Sequence, residues 1–325
     1  MILIATDEAG YGPKLGPLVV AASAWQVPVE PAGPSDLQDA FSAVARPVMV
    51  DGRRIVVNDS KAVFKPQSVT QKSGGYGKLE CVTLAGARWC GLADERLDLV
   101  GDLLAHDRDS IGAAPWLAGL LEQTIETGEA NPLIAAWESG PARLVGLKTR
   151  VITAAAFNRS CRGGANKSDL LSQSTLELAK SLLDELAVAP DEQVAVYCDR
   201  HGGRRYYAGP LQATFDGTLV RVIAESKAES YYAVPYGGGP YRGGEFTIRF
   251  TVKGDSFTPV AFSSMVAKYV REKAMESFNA YFADLAPQPL RPTAGYPVDA
   301  DRFLKDIEAI VREQHIDLAT LVRSR

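Results

Sequence analysis

The sequence predicts an α/β protein from three observations. Short apolar runs of strand length alternate with stretches of helical spacing, glycine-rich turns punctuate them, and acidic residues stand where several strands end. Residues 2–6 (ILIAT) and 18–25 (LVVAASAW) read as buried strands, joined through the turn TDEAGYGPKLGP. RIVVNDSK at 54–61 is a short strand running into a loop. Between 65 and 147 the character changes. QKSGGYGK is a loop, CVTLAGARW at 81–89 is strand-like, 92–105 has helical spacing and 115–123 reads as a helix. This region is expected to be an inserted subdomain or cap on a domain formed by 1–64 and 148–325.

From 148 the pattern is more regular. Residues 168–187 form a predicted helix with Ser168 as N-cap and a stripe of Leu171, Leu178, Leu182 and Leu186. VAVYC at 194–198 is a buried strand ending on Asp199, and LVRVIA at 219–224 is another ending on Glu225. After the break PYGGGPYRGGE comes FTIRFTV at 246–252, read as one arm of a hairpin. An amphipathic helix covers 263–282, and a last helix covers about 299–312.

Composition narrows the class. The 325 residues are 46% hydrophobic and 23% charged, as in a globular protein able to bury a core. A net charge of −4 gives no bulk signature of nucleic-acid binding, although a carboxylate cluster that holds cations would itself lower the total. No apolar run approaches a membrane span, and the amino terminus lacks the basic start of a secretory leader, so a cytoplasmic protein is expected. Four cysteines without CxxC spacing fit free thiols, and three scattered histidines offer no His-rich metal cluster.

The chemistry lies in the acids. Asp7 and Glu8, Asp199, and the Glu225/Glu229 region sit at or beyond strand ends. Carboxylates converging from separate strands repel one another and are tolerated with hard divalent cations between them. Acids also favour solvated turns, so spacing alone leaves both readings open.

Six segments bear a resemblance in the same order. TDEAGYGPKLGPLVVAA is similar to the opening DEAGRG and GPxV motif of ribonuclease HII, and VNDSK at 57–61 to its DSK loop. AVYCD at 195–199 resembles its third acidic strand end, and VIAESKAESYYAV at 222–234 its archaeal-type AEHKADAKYPV stretch. SSMVAKYVRE at 263–272 resembles its ASIxAKxxRD helix, and AGYPVDADRF its GYPxDP loop. Residues 65–147 have no counterpart.

The resemblance implies an RNase H-like mixed central sheet flanked by helices, with an inserted subdomain and a C-terminal helical segment. It also implies a metal-dependent endoribonuclease that cleaves RNA in RNA/DNA hybrids or at ribonucleotides embedded in DNA. Two Mg²⁺ or Mn²⁺ ions would be held by Asp7, Glu8, Asp199 and a fourth acid. Glu229 is preferred for that place; Asp255, in VKGDSF, is the alternative. Choosing Glu229 makes about 236–257 an inserted hairpin, and choosing Asp255 makes 219–224 an extra strand. For Asp7 and Glu8 to face one ion, β-alternation requires the first strand to end at Asp7.

The substrate contacts implied are Gly10, Tyr11 and Gly12 at the ribose, Tyr296 near the RNA–DNA junction, Lys61 at a phosphate and Asn166 beside the strand. Tight-turn glycines, a core tyrosine, a solvated lysine and a helix-capping asparagine are their plain alternatives. His201 could shuttle protons or assist product release, and Arg204 and Arg205 could bind phosphate or balance acids; Lys268 and Arg271 could face a nucleic-acid backbone, with a solvated helix face the preferred reading. Tyr11 replaces the family arginine, which leaves room for an altered nucleic-acid substrate. A binding module without catalysis is the remaining alternative.

Overall fold

The computed structural model describes residues 1–28, 34–63, 74–104, 106–127, 130–189, 191–215, 219–236 and 244–324, and only the backbone of 34–36, 61, 62 and 74. Among the described residues seven strands form the central sheet: β1 (Ile2–Ala9), β2 (Leu18–Gln26), β3 (Arg143–Ile152), β4 (Val194–Asp199), β5 (Arg221–Glu225), β6 (Glu229–Pro235) and β7 (Glu245–Thr251). Their order across the sheet is β3-β2-β1-β4-β7-β6-β5. β1 pairs in parallel with β4, and β4 in parallel with β7; the outer pairings are antiparallel. The α/β class and the mixed sheet are therefore as the sequence predicts.

Helices cover both faces. One face holds Leu3, Ala5, Val19, Ala21 and Trp25 against the long helix α3 (Thr258–Leu285). The other holds Ile4, Val20, Ala22, Val196 and Phe250 against α2 (Lys167–Leu186). Period-two alternation along each strand sorts the side chains between these layers.

The segment between β2 and β3 adds helices to the α3 side. Its helix α1 (Gly74–Trp89) buries Leu79, Val82 and Ala85 in the same core as Val260, Phe262 and Met265. Gly86 lies where a Cβ would stand 2.4 Å from the Phe262 ring, so the two helices touch backbone to ring. Trp25 meets Phe41, Trp89 and Phe262 edge-on at centroid distances of 5.2, 5.9 and 5.2 Å.

Several local expectations are corrected. Residues 81–89 are helical: Cys81, Val82, Thr83, Leu84, Ala85 and Ala87 are all buried, and burial on nearly every side leaves an apolar run without helical period. The described part of 92–105, residues 92–104, is not a helix but contains a short strand, Arg96–Asp98, paired with Thr124–Glu126. There Asp98 Oδ1 accepts from the N–H groups of Val100 and Gly101, capturing the backbone in a turn. The N-cap of α2 is Asn166 rather than Ser168. The predicted terminal helix is two pieces, Pro297–Asp306 and Glu308–Glu313, broken at Ile307.

Two corrections bear on the site. β1 does not end at Asp7: it continues to Ala9, with Asp7 opposite Ala21 and Glu8 opposite Val20. Nor are the described residues of 236–257 an inserted hairpin. β7 lies inside the sheet beside β4 and runs through Gly254–Ser256 directly into α3, so β5 and β6 are the additions at the edge. The cysteines are free thiols, and no helix among the described residues is long and apolar enough to cross a membrane.

Candidate active site

The strand ends assemble one row of polar side chains on the α3 face. Thr6 pairs with Cys198, so one residue further Asp7 and Asp199 stand side by side on β1 and β4. Thr251 pairs with Asp199, and Glu229 with Thr251, extending the row across β7 to β6. Neighbouring strands lie about 4.8 Å apart, which puts the Glu229 backbone roughly 10 Å from that of Asp199.

Asp7 is the buried member, 8% exposed. Its carboxyl is held well above the usual carboxylate range, first by burial and then by the charges of Glu8 and Asp199. Hydrogen bonds from the Ser264 side chain and the Glu8 N–H (2.8 Å to Oδ1) oppose the shift. Ser264 in turn shares a 2.9 Å hydrogen bond with Ser60, the serine of the DSK loop. Next to it on α3, Ser263 donates to the Ala5 carbonyl at 2.9 Å and fixes the helix to β1. Sequence reasoning passed over both α3 serines, although their signal was the doublet in SSMVAK.

Asp199 accepts from the Gly254 N–H at 2.7 Å, and a Cβ on Gly254 would stand 2.9 Å from the Asp199 Cα. That contact draws the turn carrying Asp255 against the end of β4. Glu229 instead pairs with Arg249 at 2.9 Å, and Arg249 lies over the Tyr231 ring, 3.6 Å from its centroid. Among the described residues no three His, Cys, Asp or Glu side chains close into a metal-ligand group. Asp7, Asp199 and Glu229 each take an N–H donor of the protein. The donor set nonetheless suits a hard divalent cation, being carboxylate oxygen throughout and including a carboxyl raised by burial and then by neighbouring charge.

Glu8 points to the opposite face, where its charge also raises the Tyr11 phenol, second to burial. The Tyr11 ring lies between Lys167, whose ammonium is 4.4 Å from the centroid, and Gly202, where a Cβ would stand 2.9 Å from the phenol oxygen. His201 is buried against Tyr207 and Phe250, shares a 3.0 Å hydrogen bond with Ser172, and is pushed down to about 3 by burial and by Arg204. Its surroundings are those of a neutral core imidazole. Arg204 pairs with Asp169 and bonds Ser168, so it balances an acid. Asn166 caps α2, accepting from Ser168 and Asp169 at 2.9 and 3.0 Å while Asp169 returns a bond to its N–H.

The glycine loop divides in role. Gly10, at φ +88°, lies against the Arg271 guanidinium, where a Cβ would meet Nε at 2.5 Å. Gly12 is open, with Tyr296 the nearest side chain (3.8 Å from a notional Cβ). Tyr296 is 47% exposed and opens the Pro297–Asp306 helix. The Gly295 carbonyl accepts from Lys14 and Leu15 at 2.7 and 3.1 Å, holding this loop to the glycine loop. Lys268 and Arg271 are not a solvated face: Arg271 is 1% exposed and Lys268 bonds Glu272 at 2.6 Å. The side chain of Lys61 lies outside the described residues.

No protein-family model and no curated protein matches the chain. Among solved structures it is similar to Bst-RNase HIII in complex with Mn²⁺, at 17% identity and a TM-score of 0.42 over 99% of this chain and 66% of that one. It is also similar to the ribonuclease H2 from Pyrococcus horikoshii, at 11% identity and a TM-score of 0.40 over 99% and 92%. A third is the RNase HII of Archaeoglobus fulgidus in its PCNA complex, at 14% identity and a TM-score of 0.42 over 100% and 95%. The chain spans about two thirds of the length of the HIII protein. The solved structures named here are all ribonucleases of the HII and HIII type.

Proposed function

We propose that the chain is a divalent-cation-dependent nuclease that hydrolyses RNA paired with DNA, or DNA at embedded ribonucleotides, leaving 5′-phosphate and 3′-hydroxyl ends. The observation that carries this reading is the Asp7–Asp199 pair, set one residue past the last parallel pair of β1 and β4. Asp7 is raised first by burial and then by like charge, and among the described residues no lysine or arginine pairs with it. A binding module for phosphates gains nothing from such a pair.

Asp7, Asp199 and a fourth acid would hold Mg²⁺ or Mn²⁺, while Glu8, on the opposite face of the strand, would act on the site through its charge. Such ions, when bound, supply charge to the phosphate oxygens and acidify a bound water. The chain's own part is positioning. Ser264 and the Glu8 N–H orient Asp7, the Gly254 N–H orients Asp199, and Gly12 with Tyr296 offers open backbone and a ring to a ribose. For the fourth acid the strand order supports Asp255, because β7 leads from the row straight into α3.

Incubation of the protein with Mg²⁺ or Mn²⁺ and a labelled duplex carrying one ribonucleotide tests the proposal. Cuts beside that ribonucleotide are expected, abolished by chelation; an intact duplex with either ion overturns it. Tyr11 favours a second reading, the same chemistry on another nucleic acid. A ring under the Lys167 ammonium offers a stacking surface instead of an arginine's forked donors. Cleavage confined to single strands or plain duplexes would select that reading.

A further inference from the structure

α3 crosses β1 and β2 and leaves the same face of β7 and β6 partly uncovered. There a cavity of about 390 Å³ opens, within the range of small-ligand sites. Its apolar walls are Tyr197, Phe257 and Val260, with the first two rings 4.9 Å apart between centroids. Its polar groups include Glu229 and Arg249, the ion pair described above. Thr251 and Gly254 also line it, and both touch Asp199, one by strand pairing and the other by its N–H. The cavity therefore begins where the candidate reaction centre ends.

We infer that this cavity takes a guanine base of the nucleic-acid substrate, read by Glu229 and Arg249. The volume admits a base with its sugar, and flat aromatic walls suit a planar ring. Guanine alone among the bases presents two adjacent N–H donors, N1–H and N2–H, which a carboxylate accepts as a parallel pair. Its O6 and N7 acceptors lie beside them and suit a guanidinium. Adenine and cytosine show a carboxylate a single amino group, and uracil a single ring N–H. The stacking of Arg249 on Tyr231 fixes the plane of its donors before any ligand arrives, which lowers the ordering cost of binding. That the base belongs to a polynucleotide, extruded from its pair so that N1–H and N2–H face the carboxylate, rests on the nuclease reading; the recognition itself does not.

The two are tested separately. Full-length protein in EDTA is titrated calorimetrically with the 5′-monophosphates of guanosine, adenosine, cytidine and uridine. GMP is expected to bind about tenfold more tightly than the others, and Glu229→Gln to bring it to their level. Thermal unfolding of the variant establishes that it is folded. Equal affinities in the unaltered protein, no GMP binding, or a preference that survives Glu229→Gln overturns the inference. Four duplexes that differ in the base at the embedded ribonucleotide and its neighbours form the second arm. Cleavage without base preference, together with absent GMP binding, sinks the guanine site and leaves the nuclease standing. GMP binding without cleavage does the reverse.

Discussion

The two faces of the sheet receive neighbouring residues of one strand and treat them differently. Asp7 enters the α3 face, where two serines of the helix meet β1 and an acid of β4 stands alongside. Glu8 enters the α2 face, where His201, Tyr207 and Phe250 are closely packed aromatics and Arg204 already has Asp169. The difference teaches that adjacency in sequence is not adjacency in a site. A strand hands alternate residues to separate environments, and the reactive row is built across strands rather than along one.

The largest expected effect comes from breaking the α3-face pair. Asp7→Asn or Asp199→Asn should lower the cleavage rate by more than about a hundredfold, read from initial rates on the ribonucleotide duplex. Either variant retaining most of its activity would remove the pair from the chemistry. The next comparison lies within the row. Asp255→Asn should cost kcat about a hundredfold, whereas Glu229→Gln should act mainly on KM at guanine-containing sites. The opposite pattern would make Glu229 the fourth acid.

Stability sharpens the contrast between faces. A carboxyl whose folded pKa is raised above 3.8 opposes folding once it ionises, so the cation-free protein loses stability as pH rises from that value through the raised one. Added Mg²⁺ should restore it above that window, seen as a higher unfolding temperature. Asp7→Asn should raise the cation-free temperature and blunt the Mg²⁺ response; an unchanged response would mean that the cation binds elsewhere. The smallest effect is expected for Ser264→Ala, which removes one hydrogen bond to Asp7 and one to Ser60. A loss of about 1 kcal/mol in denaturant unfolding is the expected order, with a modest fall in rate.

Much of this was legible in the sequence, for identifiable reasons. β2 and β4 are apolar runs bounded by turns, and Asp199 does end its strand. Position along the chain, however, carries no strand order. FTIRFTV looked like a hairpin arm because its partner β6 is indeed antiparallel, but its other edge pairs in parallel with a strand some fifty residues earlier. The error at Asp7 had a similar source. Gly10 looked like the end of a strand, yet its positive φ serves the approach of Arg271 after β1 has already run through Ala9. His201 beside an acid suggested chemistry, and only burial shows that it stays neutral.

The parallel pairing of β1 with β4, and of β4 with β7, has a consequence in time. Asp7 and Asp199 are separated by most of two hundred residues, and β7 follows only after another two strands. Closing such long loops is slow, because their entropy is lost before the contacts form. The acidic row is thus absent from early folding species and from fragments lacking either end of the chain. An unfinished chain carries the letters of the site without the charge density, and that density arises only as the last strands dock.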